Sequence, residues 1–345
     1  MIVGITDLLE GTSQAGVLEL RATLEDLLGG AGSDGRLLYQ ERVNRSVYRL
    51  RFEVDGKLRA IVVKRTKWAR AQRNMMVIRR WLPIMGLERA VPELHATAAE
   101  RGGRNVWHIY EDLGTRTLES ERDCESVRSA VSLLGELHTR AAGHPLLPEC
   151  RELGGDLGIR FYDTSVRGAI ECLEAIPPPE HRGSLERAAL LERLLERMEA
   201  LLAEQRERAT AMEDLGGPDT LLHGDLWLGN VILTPEGVRL IDWDHVAVGP
   251  IAYDLSTFLN RFPVAERDHV LDLYRVAVGH AGWELPAAGE LNPLFATCEL
   301  ARCANCVVWP ALAAAEGRDV GWAFEDLALV EGWLEALDPV LAEVA

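Results

Sequence analysis

Several features that many proteins share are scarce or missing in this chain of 345 residues, and each absence narrows the possibilities. The longest uninterrupted apolar run, residues 306–315, is too short to span a bilayer and contains Pro310. The N-terminus lacks the basic start and the cleavage site of a signal peptide. Six cysteines show no spacing typical of a disulfide framework or a zinc site. We therefore expect a globular protein of the cytoplasm with free thiols and no membrane partner.

Lysine is rare, and the position of one lysine is unusual. The chain has only three, and Lys64 alone lies inside a predicted strand, residues 58–64. It shares the apolar face of that strand with Val62, and burying an ammonium there is costly unless an anion is near. The alternative is that Lys64 marks a strand end and reaches into solvent. This strand alone supports both readings equally, and residues 221–244, described below, favour contact with an anion.

The charge changes sign along the chain. Residues 1–110 hold 18 Lys and Arg against 12 Asp and Glu, whereas residues 111–345 hold 19 against 42. A basic first part suits a polyphosphate, and an acidic second part attracts a cationic ligand and disfavours nucleic acid. The alternative is that the acidic residues are solvated helix faces. The change of sign also favours a boundary between two parts of the protein near residue 111.

The periodicity of apolar residues differs between the two parts. Period-two alternation and turn residues predict five strands in the first part: residues 36–43, 46–54, 58–64, 91–98 and 105–111. Helices are predicted over residues 5–28 and 68–82, and we expect Pro83 to stop the second one. The remainder reads as helical, including a long helix over residues 185–208, with Trp283, Trp309 and Trp322 expected in the core or in a pocket.

Residues 221–244 form the most informative segment. Two short aliphatic runs flank a Thr-Pro-Glu-Gly turn, which predicts a tight antiparallel hairpin. Asn230 precedes the first strand and Asp242 follows the second, so the hairpin brings these two side chains close together. Amide and carboxylate oxygens suit Mg²⁺ that is shared with water and with the phosphates of a substrate. The alternative is a hairpin that merely has polar ends.

Asp225 lies five residues before Asn230, outside that pair. In phosphoryl transfer one carboxylate is aimed at the attacking hydroxyl while metal ions bridge the phosphates. The pattern His223-Gly-Asp225, four residues, Asn230, followed by Ile-Asp242, resembles the catalytic segment of the aminoglycoside phosphotransferase and choline kinase-like family, relatives of the protein kinases. The spacing thus provides one residue for each role that phosphoryl transfer requires.

The resemblance implies an α+β, two-lobed protein-kinase-like fold. Its small N-lobe would be an antiparallel sheet within residues 1–111, and its larger, mostly helical C-lobe would occupy residues 112–345, with an insertion at about residues 148–218. The resemblance further implies that Asp225 orients and deprotonates the acceptor hydroxyl. Asn230 and Asp242 would hold Mg²⁺, and Lys64 would contact the phosphates of ATP or GTP.

Further nucleotide contacts follow from the same resemblance. The loop that contains Ser46 would lie over the phosphates, and the backbone of Glu111 and Leu113 would bind an adenine edge, as a kinase hinge does. His138 would pack near the catalytic loop, and Asp254 would brace that loop. Each of these roles is what the family resemblance implies for the matching residue.

One feature departs from the kinase pattern. A kinase lysine pairs with a helix glutamate, but this chain has no Asp or Glu between Asp55 and Glu88. The expected position falls near Asn74 or Met75. Either an amide replaces the carboxylate, or nucleotide alone holds Lys64, or the lobe is degenerate.

We therefore expect a kinase that phosphorylates a hydroxyl of a small molecule, with no nucleic acid or membrane partner and an unspecified oligomeric state. A cationic acceptor such as an aminoglycoside, amino sugar or amino alcohol would suit the acidic second part, and Asp244 is a candidate substrate contact. The main alternative is a non-catalytic nucleotide-binding scaffold. A protein acceptor and a metal-dependent phosphohydrolase are two further alternatives.

Overall fold

The computed structural model of the chain describes residues 2–9, 14–29, 34–177 and 185–342. The chain separates into two compact units. The sheet unit comprises Met1–Leu133 and Leu228–Val246, and the helical unit comprises Leu134–Trp227 and Ala247–Ala345. The lobe boundary expected at residue 111 stays a prediction. Among the described residues, no helix is both long and apolar enough to cross a membrane.

A six-stranded sheet forms the centre of the sheet unit. Its strands are β1 (Ile2–Val3), β2 (Gly35–Arg42), β3 (Val47–Val54), β4 (Lys57–Lys67), β5 (Leu94–Ala99) and β6 (Asn105–Glu111). They lie in the order β1-β2-β3-β4-β6-β5. All neighbours are antiparallel except β1, which pairs with β2 in parallel. The predicted α+β fold with an N-terminal sheet is therefore confirmed, with the correction that β1 makes the sheet mixed.

Helix α1 (Val17–Leu28) covers part of this sheet. Its Leu20 and Leu24 are buried in one apolar cluster with Phe52 and Trp107. The sequence predicted helix from residue 5 onward, but the described part holds only a 3₁₀ turn before α1, and residues 10–13 lie outside the described residues. The helix starts late because Gly16 adopts a left-handed φ of 83°, which precedes the first helical residue.

The helix after β4 does not stop where the sequence predicted. It runs as α2 (Trp68–Met76), then a π-helical segment Val77–Trp81, then α3 (Leu82–Ile84). Within it the Leu82 N–H donates to the carbonyl of Val77, five residues back. Pro83 lies within α3, after the π-helical segment, and the helix continues beyond it to Ile84. The expectation that Pro83 ends this helix is therefore wrong.

The rest of the chain is mostly helical, as predicted. The helices are α4 (Cys124–Ala141), α5 (Leu147–Leu153), α6 (Ile159–Glu174), α7 (Leu185–Ala203), α8 (Gln205–Leu215), α9 (Ala252–Leu259), α10 (Val264–Gly279), α11 (Ala288–Ala315) and α12 (Val320–Glu335). Two strand pairs interrupt them: β7 (Thr220–Leu222) with β10 (Ala247–Gly249), and β8 (Val231–Thr234) with β9 (Gly237–Leu240). The predicted helix over residues 185–208 is divided at Glu204 into α7 and α8.

The core of the helical unit lies between α6, α7, α11 and α12. Val166, Leu194, Val307 and Leu327 represent the four helices in one buried cluster. Two tryptophans expected in the core or in a pocket are instead on the surface, since Trp309 is 67% and Trp322 is 44% exposed. Helix α11 carries apolar residues on most of its own sides, so its sequence pattern does not indicate which side faces solvent.

Candidate functional site

The predicted hairpin is present in the sheet unit as β8 and β9. Val231 pairs with Leu240, and the N–H of Ile241 donates to the carbonyl of Asn230 over 3.0 Å. Asn230 and Asp242 therefore lie at the open end of one hairpin, Asn230 directly before its first strand and Asp242 two residues after its second. The local sequence dictates this arrangement, because the two aliphatic runs are joined by a tight turn.

Asp242 has an unusual backbone conformation. Its φ of 67° and ψ of 55° lie in the left-handed region, which residues other than glycine rarely adopt. The chain then enters a 3₁₀ turn, Trp243–His245, in which Trp243 is buried and donates from Nε1 to the carbonyl of Leu240 over 3.1 Å. The turn leaves Asp242 exposed and buries Asp244. Strain of this kind concentrates at functional sites.

Lys64 contacts both of these carboxylates. From β4 its Nζ donates to Oδ1 of Asp242 over 2.7 Å and to Oδ1 of Asp244 over 3.0 Å. Only 15% of its side chain is exposed, so Lys64 does not extend into solvent. Burial lowers the pKa of Lys64, but the two carboxylates outweigh burial and raise that pKa above its ordinary value. Lys64 is therefore held as a cation at the open end of the hairpin.

Asp244 is enclosed by groups of its own chain. Its Oδ1 also accepts a hydrogen bond of 2.5 Å from Nδ2 of Asn74, and its Oδ2 lies 3.9 Å from Nη1 of Arg70. Burial raises the pKa of this carboxyl, while the charge of Lys64 and the hydrogen bonds from Lys64 and Asn74 lower it, with a net shift downward. The substrate contact expected for Asp244 stays a prediction, and its carboxylate is here engaged by Lys64, Asn74 and Arg70.

His108, which the sequence reading missed, lies beside Lys64. The two residues face each other across β4 and β6, and Nδ1 of His108 is 2.7 Å from the hydroxyl of Tyr110. Burial, followed by the positive charge of Lys64, lowers the pKa of His108 to about 4. The pairing of β4 with β6 is the signal that could have located it, since residues opposite each other in a sheet share a face.

The low pKa of His108 predicts a pH-dependent stability. Its ordinary value is 6.5 and its value in the folded protein is about 4, so between these values the unfolded chain binds more protons. Stability should therefore decrease as the pH falls from about 6.5 toward 4. Replacing His108 with Gln should flatten this slope in denaturant unfolding, whereas His269→Gln, at an exposed position, should not. Equal slopes in wild type and His108→Gln would contradict the assignment.

The three backbone positions expected to bind nucleotide are also in the sheet unit. The N–H of Ser46 donates to Oδ1 of Asn44 over 2.9 Å, which fixes the loop before β3. The N–H of Glu111 donates to the carbonyl of Glu93 over 3.0 Å, and Leu113 follows at the end of β6. The nucleotide contacts of Ser46, Glu111 and Leu113 stay predictions. Binding through the N–H groups of Ser46 or Glu111 would require these hydrogen bonds to exchange.

The loop that carries Asp225 belongs to the helical unit, directly after β7. Gly224 adopts a left-handed φ of 79°, which turns the chain before Asp225. The N–H groups of His223 and Gly224 donate to the two carboxylate oxygens of Asp254 over 2.7 Å and 2.9 Å. Nδ1 of His223 accepts a hydrogen bond of 3.4 Å from the N–H of Asp225. The turn is therefore fixed on both sides of Gly224.

Asp254 is completely buried, and His138 of α4 lies 3.4 Å from its Oδ2. The other ring nitrogen of His138 is 2.8 Å from the hydroxyl of Tyr274. Burial raises the pKa of Asp254, but the hydrogen bond and charge of His138, the charge of His223 and the bond from the Gly224 N–H outweigh burial and lower that pKa. Asp254 thus holds the loop, as the family resemblance implied, and His138 is a packed helix histidine.

Arg302 is a further contact of this loop that the sequence reading missed. Its guanidinium, half-buried on α11, lies 3.4 Å from the carbonyl of Gly224 and 3.2 Å from that of Tyr253, and it also donates to the hydroxyl of Thr257. It stacks over the ring of Tyr253 at 4.2 Å. Arg302 is the only basic residue in α11, and a lone cation in an apolar helix is a signal of a specific partner.

The donor set at the hairpin fits Mg²⁺. Asn230 and Asp242 offer an amide and a carboxylate oxygen, which are hard ligands, and Mg²⁺ keeps several waters and phosphate oxygens when it binds to few protein groups. Among the described residues, no group of three or more His, Cys, Asp and Glu side chains could cage an ion. An ion at the hairpin would therefore complete its coordination with water and with a ligand.

Residues 41–290 match the phosphotransferase enzyme family (APH), and the chain belongs to this family. The sequence-based prediction of a phosphotransferase is thereby confirmed at the level of the family. The match includes the strand of Lys64, the loop of Asp225 and the hairpin of Asn230 and Asp242, whereas Arg302 lies beyond its end.

Individual proteins resemble this chain either over a short segment or at low sequence identity. Methylthioribose kinase 1 of Oryza sativa subsp. japonica is 40% identical over 45 residues, which cover 13% of this chain and 10% of that protein. The Plasmodium vivax ethanolamine kinase Pv091845 is 13% identical with a TM-score of 0.58, covering 94% of this chain and 92% of that one. The spectinomycin phosphotransferase APH(9)-Ia, in complex with ADP and spectinomycin, is 14% identical with a TM-score of 0.55, covering 95% and 96%. The two structures share the fold of this chain.

Proposed function

We propose that this protein transfers the γ-phosphoryl group of ATP or GTP to a hydroxyl of a small molecule in the cytoplasm. The observation that carries the proposal is the contact of 2.7 Å between Lys64 Nζ and Asp242 Oδ1. Lys64 is a largely buried cation that could bind phosphate, and Asp242 is a carboxylate that could bind the metal ion of a nucleotide. ADP in the spectinomycin phosphotransferase structure supports a nucleotide as phosphoryl donor.

In this proposal each residue has one task. Asp225 orients the acceptor hydroxyl and takes its proton. Asn230 and Asp242 hold Mg²⁺, which neutralises charge on the phosphates when it is bound. Lys64 orients the phosphates, and the backbone near Ser46, Glu111 and Leu113 binds the rest of the nucleotide.

The non-catalytic scaffold was an alternative because α2 lacks a glutamate for Lys64. The contacts of Lys64 weaken that reason, because the carboxylates of Asp242 and Asp244 bind Lys64 without a helix glutamate. We therefore favour catalysis. Measuring nucleotide consumption by the purified protein against a panel of hydroxylated amines, sugars and antibiotics tests the choice. Acceptor-dependent formation of ADP or GDP is expected, and nucleotide binding without turnover on any acceptor would favour the scaffold.

The methylthioribose kinase, the ethanolamine kinase and the spectinomycin phosphotransferase to which this chain is similar support a small-molecule acceptor. We propose a cationic acceptor because residues 111–345 hold 42 acidic against 19 basic residues. Exposed charges are screened over roughly 8 Å at physiological salt. In the same panel, kcat/KM for the best acceptor should fall as salt rises, and a neutral best acceptor with salt-independent kcat/KM would contradict this part of the proposal.

A metal-ligand role for Asp242 makes a separate prediction. Asp242→Ala should remove the Mg²⁺ dependence of ADP affinity, because the carboxylate that would hold the ion is lost. Calorimetric titration of ADP with and without Mg²⁺ measures this difference, and Asp214→Ala, at an exposed position in α8, is the control. Asp242→Ala protein that still binds ADP more tightly with Mg²⁺ than without it would rule out this role.

A further inference from the structure

Asn74 lies on α2, the helix on which a kinase would carry the glutamate partner of Lys64. Helix α2 contains no acidic residue, and Asn74 is one of its two buried side chains. Its Nδ2 donates to Oδ1 of Asp244 over 2.5 Å and to the carbonyl of Arg70 over 3.0 Å. A buried amide that bonds to a carboxylate 170 positions away in the sequence is a specific tertiary contact.

The same oxygen of Asp244 also accepts from Lys64 over 3.0 Å. Helix α2 and strand β4 are thereby connected through one carboxylate, from Asn74 through Asp244 to Lys64. A buried ion pair is favourable only when further hydrogen bonds satisfy its remaining atoms, and Asn74 supplies one of them. Asn74 thus holds the carboxylate that in turn holds the lysine.

This connection also explains why α2 carries an amide rather than a glutamate. A carboxylate at position 74 would face Asp244 within hydrogen-bonding distance, and two like charges at such a site repel each other. An amide N–H donates to the carboxylate without adding charge. The anionic partner of Lys64 is therefore Asp244, which lies outside α2.

We propose that Asp244 replaces the helix glutamate as the lasting partner of Lys64 and that Asn74 is a positioning residue that acts through Asp244. This inference rests on the proposed function. In it, Asp242 is a ligand of the metal ion and gives up its contact with Lys64 when the metal-bound nucleotide enters. Asp244 stays on Lys64 because Asn74 fixes its Oδ1, so the ammonium remains directed at the phosphates.

The test replaces Asn74 with Asp, which keeps the shape of the side chain but substitutes an acceptor for the donor. We expect kcat to fall about tenfold, since small misplacements of catalytic groups cost up to ~100-fold. Gln72→Asp adds the same charge at an exposed position of the same helix and should change kcat less than twofold. Asn74→Ala, which loses the donor without adding charge, is the second variant in case Asn74→Asp does not fold.

A double-mutant cycle with Lys64→Met separates positioning from packing. If Asn74 acts through Lys64, then Asn74→Asp should change the residual kcat less than twofold when Lys64 is already Met. A loss of kcat that persists undiminished in the Lys64→Met background, or a wild-type kcat in both Asn74 variants, would overturn the proposal.

The kinase activity and the role of Asn74 can fail independently of each other. Wild-type protein that turns over no nucleotide with any acceptor would refute the kinase activity. The same cycle is then run on the affinity for Mg²⁺-ADP, where coupling between positions 64 and 74 supports the connection through Asp244. Additive effects on that affinity would refute it.

Discussion

Asp225→Asn should abolish turnover and leave nucleotide affinity nearly unchanged. The substitution keeps the size of the side chain but removes the carboxylate that we propose takes the proton of the acceptor hydroxyl, and loss of a positioned general base costs about 10²–10⁴-fold in rate. The loop should keep its shape, because its hydrogen bonds to Asp254 come from the backbone of His223 and Gly224. Turnover with the best acceptor and ADP affinity are the two measurements.

Asp214→Asn, at an exposed position of α8, is the matched control and should retain wild-type turnover. If Asp225→Asn protein kept near-normal kcat, the base would have to be another residue. If it lost nucleotide affinity as strongly as turnover, Asp225 would belong to the nucleotide site and its assignment to the acceptor would be wrong.

Asp254→Ala should cause the largest loss of stability among single substitutions at the candidate site. It leaves the buried N–H groups of His223 and Gly224 without an acceptor and removes the partner of His138. An unsatisfied buried donor costs about 1–3 kcal/mol, so the free energy of unfolding should fall by roughly 3–5 kcal/mol. Denaturant unfolding measures this change, with Asp268→Ala at an exposed position of α10 as the control.

The effect of Asp254 should also depend on pH. Its pKa in the folded protein is lowered from the ordinary value of 3.8, so its contribution is present above that value and is lost as the pH falls through the lower folded pKa. The difference in stability between wild type and Asp254→Ala should therefore be constant near neutral pH and shrink only in strong acid. A difference below about 1 kcal/mol at neutral pH would mean that other groups hold the loop.

Arg302 also holds the loop that carries Asp225, in addition to the two hydrogen bonds from that loop to Asp254. It contacts the carbonyl of Gly224, whereas the buried Asp254 accepts from the N–H of that residue, so both backbone polar groups of Gly224 contact charged side chains. Such double attachment restricts the backbone immediately before Asp225. A reactive group is most effective when its supporting residues are themselves fixed by packing and hydrogen bonds.

The sequence by itself determined the local elements and the order of the motifs. Alternation fixed the strand of Lys64, and the turn between two aliphatic runs fixed the hairpin of Asn230 and Asp242, because these structures depend on neighbours within a few residues. The resemblance of its motifs to those of the family pointed to Asp225 and Asp254. The sequence did not determine where the helix after β4 ends. A π-helical segment precedes Pro83, and the sequence pattern does not reveal such a local change of hydrogen-bond register.

Only the tertiary structure decided which groups meet. The partners of Lys64 are 178 and 180 positions away, and no periodicity relates residues at such distances. The absence of a helix glutamate was visible in the sequence, but its meaning depended on the contact between Asn74 and Asp244, which folding alone creates. The fold also decided which side chains are buried. Trp309 and Val307 lie in the same apolar helix, but Val307 is packed in the core and Trp309 is exposed. Local pattern determines what an element is, and long-range packing determines which of its side chains can act together.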